Sequence, residues 1–231
     1  MINNKKVLAI VPARGGSKGI IKKNIRLVNN KPLIQFTLDE TIKSKYIDEI
    51  HISTDDDEIL EVIQKLGYDI KRKRPQHLAQ DNTKTIDVLK DVVEYYAQKN
   101  ESYEIVILLQ PTQPMRKVKH IDEALEKYVA SEEQSIVSVS KVKEHPLLMR
   151  SINKRGLLVN LLDENSTVRR QDFKEFYMVN GAIYVNSVDE IMQNASLNDN
   201  KLPYIMGEDY RNIDIDTIDD LNLFEYYLSK Y

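Results

Sequence analysis

The chain contains 231 residues, of which 42% are apolar and 30% charged, and its formal net charge is −3. This composition allows a sizeable buried core, and the lack of a basic excess argues against nucleic acid as a partner. The chain contains no cysteine, which excludes disulfides, thiolate zinc sites and a cysteine nucleophile. Because no apolar run approaches the roughly 18 residues of a membrane span and no secretory signal is recognisable, we expect a cytoplasmic protein that does not bind a membrane.

Short apolar segments alternate with amphipathic segments along most of the chain. The predicted strands are residues 6–11, 49–54, 104–109, 135–140, 181–185 and 213–216. The predicted helices are residues 33–45, 58–66, 85–98, 118–130 and 218–229. This alternation is typical of an α/β fold with a mostly parallel, doubly wound sheet, which we predict as a single domain over residues 1–231.

The alternation is interrupted between residues 141 and 177. Within this segment, residues 156–161 predict an isolated strand, and the polar run 163–175 has no clear period. Segments of this length without regular structure are usually functional or disordered. We interpret residues 141–177 as an excursion from the sheet.

A glycine-rich segment follows the first predicted strand. Residues 11–19 read VPARGGSKG, and residues 22–24 read KKN. The glycines let the backbone turn tightly and bring its N–H groups close to an anion, while Arg14, Lys18 and Lys23 add positive charge. The spacing is neither that of the Walker loop nor that of the dinucleotide fingerprint. We interpret the segment as a loop that binds a polyphosphate.

Two acidic segments compete as candidate metal sites. Residues 213–216 read IDID, and a strand would place Asp214 and Asp216 on one face, about 6.6 Å apart. Such a pair suits Mg²⁺, which binds one or two carboxylates together with phosphate oxygens, although a solvated edge strand is the alternative. Residues 55–57 read DDD, and we interpret them as the N-terminus of a helix, where aspartate caps free N–H groups.

The loop after the buried strand 104–109 is a further candidate. Residues 110–114 read QPTQP, so two prolines stiffen the backbone at this point. In α/β sheets, ligands bind beyond the carboxyl ends of the strands. The loop is therefore compatible with a binding site.

In this order the segments resemble the acylneuraminate cytidylyltransferases, the CMP-sialic acid synthetases, over nearly the whole chain. The resemblance rests on PARGGSKG at 12–19, KN at 23–24, STD at 53–55, RP at 74–75, LA at 78–79, LQPT at 109–112, HP at 145–146, NGAIY at 180–184, YIM at 204–206 and IDID at 213–216. It implies a Rossmann-like fold of the nucleotide-diphospho-sugar transferase type. It also implies that residues 141–177 form an inserted dimerisation subdomain.

The resemblance implies a nucleotide-binding role for one group of residues. Arg74 would lie beside the cytosine, and Thr85 near the nucleotide. The catalytic residues would be Arg14, Lys23 and Asp216. The residues around the triphosphate would be Arg14, Ser17, Lys18, Lys23 and Asn24.

A second group would bind the acceptor and the metal. Gln110 and Tyr184 would contact the sugar acid, and Arg170 would pair with its carboxylate, as a guanidinium fork can do. Asp214 and Asp216 would hold Mg²⁺, or Mn²⁺ in its place. The partners implied are CTP, an acidic nine-carbon sugar and a second copy of the chain, whose excursion would reach into the neighbouring site.

The expected reaction is CMP transfer from CTP to the anomeric hydroxyl of a nonulosonic acid, with release of pyrophosphate. Alternatives within enzymes are a CMP-Kdo synthetase, a guanylyltransferase for a legionaminic acid precursor, and a glycosyltransferase that binds metal at residues 55–57. A nucleotide-sugar binding module without turnover is the alternative outside enzymes.

Three departures from the family pattern concern the acceptor. Met178 and Val179 replace an Arg-Pro pair, Leu147 and Leu148 follow the His-Pro pair where sialic acid enzymes have a lysine, and residues 196–202 contain no aromatic residue. All three fall around the sugar-acid pocket and leave the phosphate side intact. The sequence therefore leaves open which acid is the acceptor.

Overall fold

The computed structural model describes residues 1–132, 134–162, 169–207 and 212–230, with only the backbone of Arg170. These residues form ten strands and six α-helices. The strands are β1 (Val7–Pro12), β2 (Leu27–Val28), β3 (Lys31–Pro32), β4 (Glu49–Ser53), β5 (Ile105–Leu108), β6 (Ile136–Lys141), β7 (Arg150–Ile152), β8 (Leu158–Asn160), β9 (Tyr177–Ser187) and β10 (Leu202–Ile205). The helices are α1 (Leu33–Thr41), α2 (Asp57–Lys65), α3 (Thr85–Gln98), α4 (Val118–Ala130), α5 (Val188–Met192) and α6 (Ile218–Leu228).

The main sheet is mixed and mostly parallel. Within the described chain it contains six strands in the order β10-β6-β9-β5-β1-β4. β1 pairs in parallel with β4 and β5, and β10 pairs in parallel with β6. β9 runs antiparallel between β5 and β6. The strand order confirms the predicted α/β fold class and adds one antiparallel central strand.

Each face of the sheet is covered by helices. In β1, Val7, Ala9 and Val11 pack into one buried cluster, to which α1, α2 and α4 contribute. Leu8 and Ile10 point to the opposite face and pack with α3 and α5. This alternation follows from the two-residue period of a strand, and burying the valine, leucine and isoleucine side chains stabilises the fold by about 1.5–3 kcal/mol each. The doubly wound architecture is confirmed.

Several predicted boundaries differ from the structure. Helix α1 ends at Thr41, whose hydroxyl donates to the Thr37 carbonyl (2.7 Å), and not at residue 45. The predicted strand 181–185 is part of the longer β9. The predicted strand at 213–216 is wrong, because these residues, all described, form no strand. The backbone of this segment contacts the loop after β5 through a bond from the Ile215 N–H to the Thr112 carbonyl (2.9 Å).

The excursion at 141–177 carries a β-hairpin of its own. β7 and β8 pair antiparallel, with Ile152 opposite Leu158, so the predicted strand at 156–161 exists but has a partner. Both side chains are exposed, as are Leu157, Val159 and Leu161. The dimerisation role of this segment and the single domain over 1–231 stay predictions. In the part of the chain that the structure describes, no helix is both long and apolar enough to cross a membrane.

Candidate active site

The glycine-rich loop after β1 is fixed by contacts at both ends. The Gly15 N–H donates to Asp55 Oδ1 (3.1 Å), and a Cβ atom at Gly15 would collide with the side chain of Asp56. The buried side chain of Asn24 donates to the Arg14 carbonyl (3.0 Å). The loop therefore needs glycine at 15 and a side-chain amide at 24 to hold this conformation.

The same loop is joined to the acidic segment 213–216. Lys23 Nζ donates to the Ile215 carbonyl (2.7 Å) and to Asp216 Oδ1 (2.9 Å). Ile213 and Ile215 are buried in a third core cluster, which also contains Ile20 of the loop. Because the two isoleucines are buried, the two aspartates lie on the outer side, as the alternation predicted even without a strand.

The loop borders a cavity of about 300 Å³, and most of the predicted nucleotide-binding residues line it. Lys18 lies close by, since its Nζ pairs with Asp81, which lines the cavity (2.8 Å). Thr85, which also lines the cavity, is the first residue of α3, so the N-terminal end of that helix borders the cavity, and helix N-termini favour anions. The predicted residues that line the cavity are Arg14, Ser17, Lys23, Asn24, Arg74, Thr85 and Gln110.

Arg74 is a buried cation on the far wall of this cavity. Its Nε donates to Ser53 Oγ (2.9 Å) and its Nη2 to the Ser53 carbonyl (2.6 Å). Burial lowers the pKa of Arg74 from its ordinary value, and the charge of Asp55 opposes that shift. The guanidinium is thus held in one orientation, which suits recognition of a flat ring or its carbonyl group.

A second cleft, of about 270 Å³, shares Gln110 with the first cavity. Tyr184 lines it, and its hydroxyl donates to Asn198 Oδ1 (3.0 Å). Burial raises the pKa of Tyr184, so this hydroxyl stays neutral near pH 7. Gly181, with a φ of +74°, lies so close that a Cβ atom there would be 2.8 Å from Gln110 Oε1. The cleft therefore brings Gln110 and Tyr184 together, whereas the side chain of Arg170 lies outside the described residues.

Asp214 lines this second cleft, and Asp216 lies beside Lys23 of the first cavity. Desolvation raises the pKa of Asp214, and the charge of Asp216 adds to the shift. Among the described residues, no cluster of three or more His, Cys, Asp or Glu side chains is placed to hold a metal. Two carboxylates completed by phosphate oxygens are a donor set that Mg²⁺ accepts, and the metal-binding role of Asp214 and Asp216 stays a prediction.

The chain matches a known protein family along most of its length. Residues 8–201 match the family profile described as cytidylyltransferase. The chain belongs to the cytidylyltransferase family. It is 34% identical over 223 residues to the CMP-N,N'-diacetyllegionaminic acid synthase of Legionella pneumophila, an alignment that covers 95% of each chain. The resemblance inferred from the motifs is confirmed.

Other family relatives are longer than this chain. The N-acylneuraminate cytidylyltransferase of Streptococcus agalactiae is 33% identical over 218 residues, which cover 93% of this chain and 51% of the relative. The chain therefore spans about half the length of that relative. Among solved structures, the CMP:2-keto-3-deoxy-manno-octonic acid synthetase complexed with CTP has a TM-score of 0.73 and 17% identity, covering 97% of this chain and 99% of that one. This last likeness shows the fold alone.

Two residues that contact the site were not predicted from the sequence. Asp81 pairs with both Arg14 and Lys18. Arg116 is fully buried, and its guanidinium donates to the carbonyls of Ala182 (2.6 Å) and Gln110 (3.3 Å). Charged residues are mostly exposed, so composition alone gives no sign that Arg116 lies beneath the site.

The acidic run at 55–57 has the structural role that the sequence indicated. Asp56 is the N-cap of α2, and its Oδ1 accepts from the N–H groups of Glu58 (2.9 Å) and Ile59 (3.0 Å). Asp55 accepts from Gly15 of the glycine-rich loop. These contacts use the carboxylates of Asp55 and Asp56 within the protein, which weakens the glycosyltransferase alternative.

Proposed function

We propose that this member of the cytidylyltransferase family transfers CMP from CTP to the anomeric hydroxyl of an acidic nine-carbon sugar and releases pyrophosphate. The observation that carries the proposal is the adjacency of two clefts that share Gln110. The first is lined by the cations Arg14, Lys23 and Arg74, and the second by Tyr184, neutral amides and the carboxylate of Asp214. Three relatives are named for sialic, legionaminic and pseudaminic acids, and these names support the same substrate class.

In this mechanism the sugar hydroxyl attacks the α-phosphorus of CTP. A new oxygen–phosphorus bond forms, the bond from the α-phosphorus to the bridging oxygen breaks, and the electron pair leaves with pyrophosphate while the hydroxyl proton is released. Arg14, Lys18 and Lys23 would stabilise the charge that develops on the phosphates, and Ser17 and Asn24 would fix the loop around them. Catalysis is then mainly positioning and electrostatic stabilisation.

We assign a separate role to the walls of the two clefts. Arg74, anchored on Ser53, would hold the cytosine, and Thr85 would contact the nucleotide at the start of α3. Gln110 lies between the two clefts and would contact the sugar acid next to the reacting phosphate. Arg170 would pair with the acid's carboxylate.

We also propose that Asp214 and Asp216 hold Mg²⁺, for which Mn²⁺ could substitute. The raised pKa of Asp214 supports this, because a nearby cation would offset both its desolvation and the charge of Asp216. When bound, the metal would neutralise negative charge on the phosphates. Lys23 lies between this pair and the first cavity, and its bond to Asp216 keeps that carboxylate in position.

The exposed apolar side chains of the excursion support a homodimer. Leu158 is 71% exposed and Ile152 is 72% exposed, although both are large and apolar. Exposed apolar side chains that neighbour each other across a strand pair, as Ile152 and Leu158 do, are typical of a protein interface, and we propose a second copy of the chain as its partner. The cytoplasmic location expected from the sequence stays a prediction.

The test of the proposed function is pyrophosphate release across a panel of substrates. CTP, GTP, UTP and ATP are each combined with sialic, legionaminic, pseudaminic and Kdo-type acids, and with a legionaminic acid precursor, in the presence of Mg²⁺. We expect release only with CTP and a nine-carbon acid. Release with Kdo alone or with GTP would identify one of the alternative enzymes. CTP binding without release for any acid would indicate a binding module and contradict the proposed reaction.

A further inference from the structure

Asp81 contacts two cations of the glycine-rich loop from the opposite wall of the cavity. Its Oδ1 lies 3.1 Å from Arg14 Nη1, and its Oδ2 lies 2.8 Å from Lys18 Nζ. The neighbouring carbonyl of Gln80 accepts a second bond from Arg14 Nη1 (3.3 Å). One carboxylate thus uses both of its oxygens on the two cations that the proposed function assigns to the triphosphate.

A triphosphate that enters this cavity would be repelled by the negative charge of Asp81. The hydrogen bond from Lys18 lowers the pKa of Asp81, so this carboxylate is ionised near pH 7. Phosphates that bind Arg14 and Lys18 would then face a like charge on Asp81 at close range. Asp81 and Lys18 are 53% and 72% exposed, and ion pairs exposed to this degree contribute little, so the contact is easily exchanged.

We propose that Asp81 is a counter-anion that holds Arg14 and Lys18 until the phosphates of the nucleotide displace it from them. Asp81 is therefore a positioning residue, which keeps both cations pointed into the cavity before the nucleotide binds. It also recovers them when pyrophosphate leaves, which favours product release. The proposal rests on the proposed function, because it takes the phosphates to be those of CTP.

The decisive variant is Asp81→Asn, which keeps the shape of the side chain and removes its charge. Calorimetric titration with CTP, and separately with inorganic pyrophosphate, measures the dissociation constants of the wild-type protein and the variant. We expect both ligands to bind roughly three- to tenfold more tightly to the variant, since no competing anion remains. A residue with a purely structural role would not produce a gain in affinity.

The matched control is Asp69→Asn. Asp69 pairs with Lys71 (2.8 Å), is 75% exposed and lines a different cleft, so this variant changes the net charge equally away from the phosphate loop. Its dissociation constants should equal those of the wild type. Unchanged or weaker binding by Asp81→Asn, or an equal gain in both variants, would overturn the role of Asp81.

A second comparison separates displacement from simple repulsion. In a Lys18→Met background, Asp81→Asn should give a smaller gain in affinity, because one of the two cations that Asp81 holds is gone. An undiminished gain would assign the effect to direct repulsion and overturn the exchange. If the wild-type protein bound neither CTP nor pyrophosphate, the proposed function itself would be contradicted, an outcome distinct from those of the two variants.

Discussion

Gly19 and Asp216 are in backbone contact, so closely that a Cβ atom at Gly19 would collide with the Asp216 carbonyl oxygen. Lys23 makes a second connection, through its bonds to the Ile215 carbonyl and to Asp216. The glycine-rich loop and the acidic segment, almost two hundred residues apart in sequence, are therefore positioned by each other. A change that separates them should impair both phosphate binding and the proposed metal pair.

We expect Gly19→Ala to lower the free energy of unfolding by about 1–3 kcal/mol, as overpacking against backbone does, and to reduce turnover. The collision involves a carbonyl of the backbone, which cannot rotate away as a side chain could. Gly16→Ala is the control for stability, because nothing lies within 4 Å of a Cβ atom at that position. Thermal denaturation of both variants measures the difference, and equal melting temperatures would contradict the packing argument.

Replacing either aspartate of the acidic segment should reduce turnover strongly without harming the fold. With Asp216→Asn or Asp214→Asn, the proposed pair loses one of its two carboxylates, so raised Mg²⁺ or added Mn²⁺ should restore part of the rate. Initial rates at saturating CTP over a range of Mg²⁺ concentrations measure this. Normal rates in both variants would favour the solvated acidic segment and defeat the metal assignment.

Asp214 should make the stability of the nucleotide-free protein depend on pH in the absence of divalent metal. The pKa of Asp214 in the folded state is raised above the ordinary aspartate value of 3.8, so the protonated group favours folding at low pH. This contribution is lost as the pH rises from 3.8 through the pKa that Asp214 has in the folded state. At pH 7 the ionised group is then unfavourable, so Asp214→Asn should melt at a higher temperature than the wild type. A lower melting temperature at pH 7 would contradict this sign.

Periodic segments were predictable from sequence, whereas strand direction was not. Thr85–Gln98 and Val118–Ala130 match the predicted helices at both ends, because the apolar residues of each follow one helix face and polar residues flank them. The apolar run at 181–185 indicated a buried strand, but alternation carries no information on direction. That β9 runs antiparallel between β5 and β6 depends on the path of the chain through the excursion.

The candidate site was predictable where a motif is local and was missed where partners are distant. The loop residues Arg14, Lys23 and Asn24 form one short segment, and the structure brings them to one cavity. Asp81 and Arg116 act through contacts with residues far away in the chain, which no local pattern encodes. The strand expected at 213–216 shows the opposite error, since alternating burial arises without a strand when a segment lies along a core.

Arg116 should matter for acceptor binding as well as for stability. Arg116→Ala removes donors from the carbonyls of Gln110 and Ala182 and from Thr37 Oγ1, so we expect a loss of roughly 2–4 kcal/mol in the free energy of unfolding. Because the proposed function has Gln110 contact the sugar acid, the KM for the acid should rise more than the KM for CTP. Steady-state kinetics below the melting temperature measure both constants.

Arg72→Ala is the control for Arg116. Arg72 pairs with Asp91 (2.7 Å) outside both clefts, and both side chains are largely buried, so its loss should also destabilise the fold but leave both KM values unchanged. Equal changes in the two KM values of Arg116→Ala would mean that Arg116 only supports the fold.

The exposed hairpin of the excursion should decide the oligomeric state. We expect Leu158→Glu to convert a dimer into monomers, because it buries a charge in the proposed apolar interface. Ile42→Glu is the control, since Ile42 is 63% exposed at the end of α1, outside the excursion. Light scattering after size-exclusion chromatography measures the mass of each. A monomeric wild-type protein, or a dimer unaffected by Leu158→Glu, would contradict the interface.

Subunit mixing should reveal whether each site is built from two copies of the chain. Arg170→Ala and Asp216→Ala homodimers should each be nearly inactive. In a mixed dimer, Arg170 of one protomer and Asp216 of its partner would complete one intact site, so full exchange should restore about a quarter of wild-type activity, since half of the dimers are mixed and each has one working site. As the control, mixing either variant with the Arg170→Ala/Asp216→Ala double variant should restore none. Proven exchange without recovery would place Arg170 in the site of its own chain or outside it.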